Sequence, residues 1–260
     1  MIDAFLSRAF SVASPGTAAW LALAAFIAGL SRGLTGFGAG MIFVPIAGGL
    51  VGPVPAIGLL WTIDAPTVIP LGLKSIPRAQ IREIAVLFGA WLISTPLGFW
   101  LLGWFEPITI RWIVCLMILS AMALLMSGWR FHGHPTPRLA AITGLIAGIT
   151  GGLSGLPGPP IVMLWLAAAA ATAHNLRDNI NLFFLGTLGV YCVLLPWYGI
   201  LTWEVVCLGL LLCLPYTAAI GLGTLAFNRL SARDYRRAAY LVIGSAALLA
   251  LPLLDPLFGR

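Results

Sequence analysis

The sequence predicts an all-α integral membrane protein built as two inverted repeats, each a glycine-broken helical hairpin followed by three transmembrane helices. Three observations carry that prediction. First, of 260 residues, 60% are hydrophobic and 8% charged, whereas a soluble domain carries about 25% charged residues. Second, apolar segments of about 20 residues recur without strict alternation, which suits membrane helices and not a barrel. Third, a glycine-rich interruption at 27–41, IAGLSRGLTGFGAGM, returns at 146–160 as IAGITGGLSGLPGPP. At an offset of 119 residues, Ile27/Ile146, Ala28/Ala147, Gly29/Gly148, Gly33/Gly152, Leu34/Leu153 and Gly36/Gly155 are identical. Ser31/Thr150 and Thr35/Ser154 keep a hydroxyl.

In chain order, residues 1–16 are a short, partly amphipathic lead-in, expected to be retained because no convincing cleavage site follows. Residues 17–51 are apolar apart from the interruption. As straight helix they would run roughly 52 Å, too long for one crossing of a 30 Å core. Spans are expected at 54–73, 83–103 and 108–128. The loop after the first carries Lys74, Arg78 and Arg82. Trp91, Trp100, Trp104, Trp112 and Trp129 suit interfacial belts. The second half repeats the plan: a long apolar stretch at 139–172, then spans at 179–198, 203–227 and 236–254. The domain reading is a first repeat over 1–129, a basic cytoplasmic linker over 130–137 and a second repeat over 138–260.

Charge chooses between two topologies. If each long stretch crosses once, the repeats are parallel. Arg8, Lys74, Arg78, Arg82, Arg130, Arg138 and Arg260 then oppose Arg111, Arg177, Arg229, Arg233, Arg236 and Arg237, seven against six. If each stretch enters and returns, the repeats are inverted. Lys74, Arg78, Arg82, Arg130, Arg138, Arg177, Arg229, Arg233, Arg236 and Arg237 then share one face, against Arg8, Arg111 and Arg260. Ten against three is the bias that places basic loops in the cytoplasm, so both termini are expected in the periplasm. Whether the broken hairpins are re-entrant or fully spanning is open. The net charge of +6 orients the chain in a bilayer; it does not point to nucleic acid.

Two glycine-rich interruptions, one in each half, point to a transporter's binding site. Glycine lets backbone N–H groups approach a ligand, and a helix beginning after such a break turns its positive end toward an anion. The candidate substrate-binding residues are Ser31, Arg32, Gly33, Thr35, Gly36 and Gly38 in the first interruption. In the second they are Thr150, Gly151, Gly152, Ser154, Gly155 and Gly158. Asn179 and Asn181 of the following span are candidates to line the same cavity. The competing reading is that the glycines only permit close helix packing. Arg32 breaks the repeat, since Gly151 stands opposite. An arginine at membrane depth is costly and has a partner or a task; its other role would be snorkelling to an interface. Asp64 is the one acidic residue well inside a clean span. It is the candidate for proton coupling or for pairing with Arg32, and its bland role is a hydrogen bond to backbone freed near Pro66 and Pro70.

On GLSRGLTGFGAG, GGLSGLPGPPIV and LRDNINLFF, the chain resembles the sulfite exporter TauE/SafE family of membrane permeases, over nearly its whole length. It departs from the family's run of small residues at Arg32 and Phe37. The resemblance implies transport of small anions, often sulfur-containing: sulfite, sulfonates or related carboxylates. The function expected is secondary transport across the bacterial inner membrane by alternating access, with an anion-selective channel as the alternative. The expected partners are a small anion and the lipid bilayer, with a homodimer left open. No nucleic acid, cofactor or metal is expected. An enzymatic role is not expected either, because the spans carry no His/Cys/acidic cluster and no nucleophile–base pair.

Overall fold

The structure is a computed structural model that describes residues 2–35, 38–127, 136–156, 173–227, 244, 248 and 251–254. Within them the chain is helical. The helices are α1 (Ile2–Val12), α2 (Pro15–Thr35), α3 (Ala39–Val51), α4 (Pro53–Ser75), α5 (Ile81–Leu102) and α6 (Pro107–Met126). After the linker come α7 (Pro137–Ser154), α8 (Ala173–Trp197) and α9 (Trp203–Phe227), then a 3₁₀ turn at Pro252–Leu254. The expected linker at 130–135 and most of the final span at 236–254 lie outside the described residues.

One device starts many of these helices. Proline occupies the first position of α2, α4, α6 and α7, where its fixed φ suits a helix and its missing N–H removes nothing. At α7 the Thr136 side chain adds a cap, accepting from Leu139 N–H at 3.3 Å. The first interruption is a true break: α2 stops at Thr35 and α3 resumes at Ala39 after Gly38, whose φ of 93° disfavours any side chain. At 21 residues α2 is about 31 Å long and can cross the core; at 13 residues α3 is about 20 Å and cannot. α3 packs back on α2, so the first long stretch is a hairpin with one long and one short leg. α8 begins at Ala173, earlier than the expected 179. Its polar opening, AHNLRDN, stays helical because helix length is not limited to the apolar window.

The chain divides into two compact units. The first holds 1–64, 106–119 and 195–260; the second holds 65–105 and 120–194. In the first, α9 packs against α2 and α1. In the second, α5 packs against α7. By the sequence repeat, α2 corresponds to α7 and α5 to α9. The opening helix of each repeat therefore packs on the third long helix of the other. Both crossings rest on glycine. A Cβ on Gly33 would meet Ile220 O, and one on Gly152 would lie 2.6 Å from Phe99 N and Thr95 O. Ser94 bridges the second crossing, donating to Leu145 O at 2.9 Å. Such small-residue contacts and interhelical hydrogen bonds are what associate helices in lipid.

Ile93 and Leu214 are each 77% exposed, apolar surface that suits hydrocarbon rather than water. Trp100 and Trp104 are exposed at the end of α5 with ring centroids 5.1 Å apart, as an interfacial belt requires. Trp91 corrects the sequence expectation. It is fully buried in mid-helix, stacked on Phe88 at 5.5 Å and set against Phe183 and Tyr191 at 5.8 and 5.4 Å. Its inward position on α5 makes it the centre of the second unit's core. Trp129 lies outside the described residues.

Candidate functional site

The first unit contains a buried charged cluster. Ser31 and Arg32 lie in the last turn of α2, 4% and 5% exposed. The position favours a cation, because the C-terminal end of a helix carries partial negative charge. Asp64, at 4% exposure in α4, completes the charge pairing, with its Oδ1 3.0 Å from Arg32 Nε. The same oxygen accepts a 2.6 Å hydrogen bond from Tyr216 Oη of α9. Sequence reasoning missed Tyr216. The packing explains its place: a Cβ on Gly29 would collide with Tyr216 O, so the glycine lets α9 settle against α2 one turn before Arg32.

Two buried ions survive at this depth only when paired and hydrogen-bonded. The two ions are paired, the Asp64 carboxylate is hydrogen-bonded by Tyr216, and Arg32, at 5% exposure, is buried within the protein. Arg32 cannot present an uncompensated positive charge to a ligand while Asp64 is ionised. At the neighbouring break, α3 begins at Ala39, and its N-cap Gly38 supplies no side-chain cap. Its first N–H groups therefore have no cap from the N-cap residue, the arrangement in which helix starts receive anions. Gly33 packs on α9. The Thr35 side chain and Gly36 lie outside what the structure describes.

The second interruption is placed in the second unit. α7 ends at Gly155, with φ 70°, whose N–H donates to Gly151 O at 2.6 Å. Thr150 Oγ1 donates to Ile146 O at 2.8 Å, and Ser154 Oγ donates to Thr150 O at 2.5 Å and accepts from Leu156 N–H. Both hydroxyls thus serve the backbone of their own helix end. Gly151 and Gly152 are buried, the latter on α5. Gly158 lies outside the described residues.

Asn179 and Asn181 join a different polar group in this unit. Asn179 Oδ1 accepts from Gln80 N–H at 2.8 Å and its Nδ2 donates to Gln80 Oε1 at 3.1 Å. Ser75 Oγ donates to Asp178 Oδ1 at 2.9 Å and accepts from Asn181 Nδ2 at 3.4 Å. These bonds tie the α4–α5 loop to the first turns of α8. A separate small cleft in the first unit is lined by Val44, Pro45, Gly48, Pro53, Arg111, Val114 and Cys115; none of the predicted site residues lines it.

Among the described residues, five helices, α2, α4, α5, α8 and α9, are long and apolar enough to cross a membrane. With their exposed apolar faces and a buried ion pair, they make this a multi-pass membrane protein. The chain belongs to the family described as Sulfite exporter TauE/SafE, whose model matches residues 21–250. Comparison with curated proteins and with solved structures found no match.

Proposed function

We propose that this chain is a secondary transporter that moves a small anion across the inner membrane by alternating access. The anion is sulfite, an organosulfonate, or a related sulfur-containing or carboxylate species, as the family's description suggests. The chain acts as a carrier and catalyses no covalent step. The carrying observation is Arg32: a buried guanidinium in the last turn of α2, close in sequence to the glycine N-cap of α3. A guanidinium and backbone N–H groups recognise oxyanions. Asp64 is the group through which a proton gradient acts.

In this reading the repeats over 1–129 and 138–260 are inverted, the linker is cytoplasmic and both termini are periplasmic. Counterflow of radiolabelled sulfite in proteoliposomes tests the function. Saturable exchange, competed by thiosulfate or a short alkanesulfonate and lost in Arg32→Ala, is the expected result. No exchange of any of these anions overturns it. Single-channel currents would make the protein a channel instead.

A further inference from the structure

We infer that Pro66 and Cys213 are positioning residues for the transport site. The carbonyl that Pro66 leaves without a helical donor is taken by the Cys213 thiol of α9, and this bond fixes the register in which Tyr216 reaches Asp64. This deepens the proposed transport function and rests on it. Neither residue touches the anion; both act through the placement of Asp64 against Arg32.

The chain of contacts starts from covalent chemistry. Proline has no N–H, so Pro66, inside α4, gives no helical hydrogen bond to the carbonyl of Thr62, one turn earlier. Hydrocarbon holds no water to serve such a group, and a proline in a membrane helix is tolerated where a neighbouring helix serves the freed carbonyl instead. Cys213 of α9 does so: its thiol is half-buried and donates to Thr62 O, with Sγ at 3.6 Å, a bonding distance for the larger sulfur atom.

The same face of α9 meets α4 at two further points. Gly209, Cys213 and Tyr216 follow the i, i+4, i+7 spacing of one helix stripe. A Cβ on Gly209 would come within 2.6 Å of Thr62 Cγ2, so the glycine lets α9 close on α4 at Thr62. The Thr62 hydroxyl turns back to Gly58 O at 2.8 Å, which leaves the methyl and the carbonyl of Thr62 to α9. One turn beyond Cys213, Tyr216 Oη donates to Asp64 Oδ1 at 2.6 Å, and that oxygen lies 3.0 Å from Arg32 Nε. These contacts all belong to the first unit. Hydrogen bonds weaken steeply with misalignment. A helix that slips at Thr62 therefore loosens Tyr216 from Asp64, and with it the placement of the carboxylate against Arg32. A thiol is a weak donor, so the contact aligns the helices and adds little to stability. Its loss belongs in anion affinity rather than in the melting temperature.

The test uses purified full-length protein with Cys115, Cys192 and Cys207 replaced by alanine, which leaves Cys213 as the sole thiol. Its infrared S–H stretch needs no substrate. It should lie at the lower wavenumber of a hydrogen-bonded thiol and move to the free-thiol position in Pro66→Ala, whose restored N–H returns Thr62 O to its own helix. Affinity for sulfite is then measured by calorimetry. Cys213→Ala should weaken binding about three- to tenfold, the worth of one hydrogen bond, with little change in melting temperature. Cys213→Ser, which keeps a donor, should recover most of that loss. With Pro66→Ala already present, Cys213→Ala should change affinity by less than about twofold, the non-additivity of one coupled pair; a merely structural thiol would not show it. If Pro66→Ala does not fold, the parent's infrared band and the alanine and serine variants at position 213 decide. A free-thiol band in the parent, unchanged affinity in Cys213→Ala, or equal losses with and without Pro66 overturns the inference and leaves the transporter reading standing. Failure of the wild type to bind sulfite, thiosulfate or a short alkanesulfonate overturns the transporter reading and the positioning role with it, while the infrared band still reports whether the bond to Thr62 is made.

Discussion

Arg32 and Asp64 show how far single residues can be read. Both stand out in the sequence because ionisable side chains inside apolar spans are expensive, and pairing was one of the two tasks expected of Asp64. The structure makes that pair, with both partners buried. Tyr216 was not legible. It lies 152 residues from Asp64, and a tyrosine in a membrane helix carries no signal until tertiary packing shows what its hydroxyl reaches. The pair makes a stability prediction separable from transport. Arg32→Ala removes the guanidinium that faces the buried Asp64 carboxylate and should destabilise the protein by about 3 kcal/mol or more. Replacing both, Arg32→Met with Asp64→Leu, removes both buried charges and should recover most of the loss while leaving the protein unable to transport. Thermal unfolding in detergent measures both; equal destabilisation by the single and double variants would refute the pairing argument.

At the scale of helices, most boundaries were legible and the roles of the glycines only partly so. The proline starts and the break at Gly38 follow from local backbone chemistry, which the sequence states directly. Which face of a glycine-rich helix meets another helix does not, because small residues serve a ligand, a turn and a helix contact equally well. Gly38 and Gly155 end or begin helices with positive φ. Gly29, Gly33, Gly148 and Gly152 lie in helix crossings. Trp91 was misplaced for a related reason: tryptophan is common both at interfaces and in cores, and only the partners Phe88, Phe183 and Tyr191 decide between them. The crossings predict a contrast. Gly152→Ala forces α5 and α7 apart and should cost about 1–3 kcal/mol, the range for overpacking. Gly89→Ala, with nothing within 4 Å of its added methyl, should be neutral or stabilise α5 by up to about 1 kcal/mol through helix propensity. Comparing their melting temperatures in one detergent tests the assignment. A Gly152→Ala protein as stable as Gly89→Ala would mean that the crossing is looser than described.

For the whole molecule, the charge count argues for inverted repeats, and two contacts support it independently. Ser75 and Gln80, at the end of α4 and in its following loop, hydrogen-bond Asp178 and Asn179 in α8. Gly58, near the start of α4, lies so close to Ile200 after α8 that an added Cβ would come within 2.8 Å of its carbonyl oxygen. Parallel repeats would set each of these pairs on opposite faces of the membrane, because α4 and α8 would then run in the same direction. The inverted arrangement we propose accounts for each pair, because α4 and α8 then run in opposite directions. The consequence is open to direct labelling. Ile76 and Tyr198 are exposed in the α4–α5 and α8–α9 connections, so each accepts a reporter cysteine once Cys115, Cys192, Cys207 and Cys213 are replaced by serine or alanine. In intact spheroplasts, a membrane-impermeant maleimide should label Tyr198→Cys at once and Ile76→Cys only after the membrane is opened. Labelling of both from the same side is what parallel repeats require, and it would overturn the inverted arrangement together with the periplasmic placement of the termini.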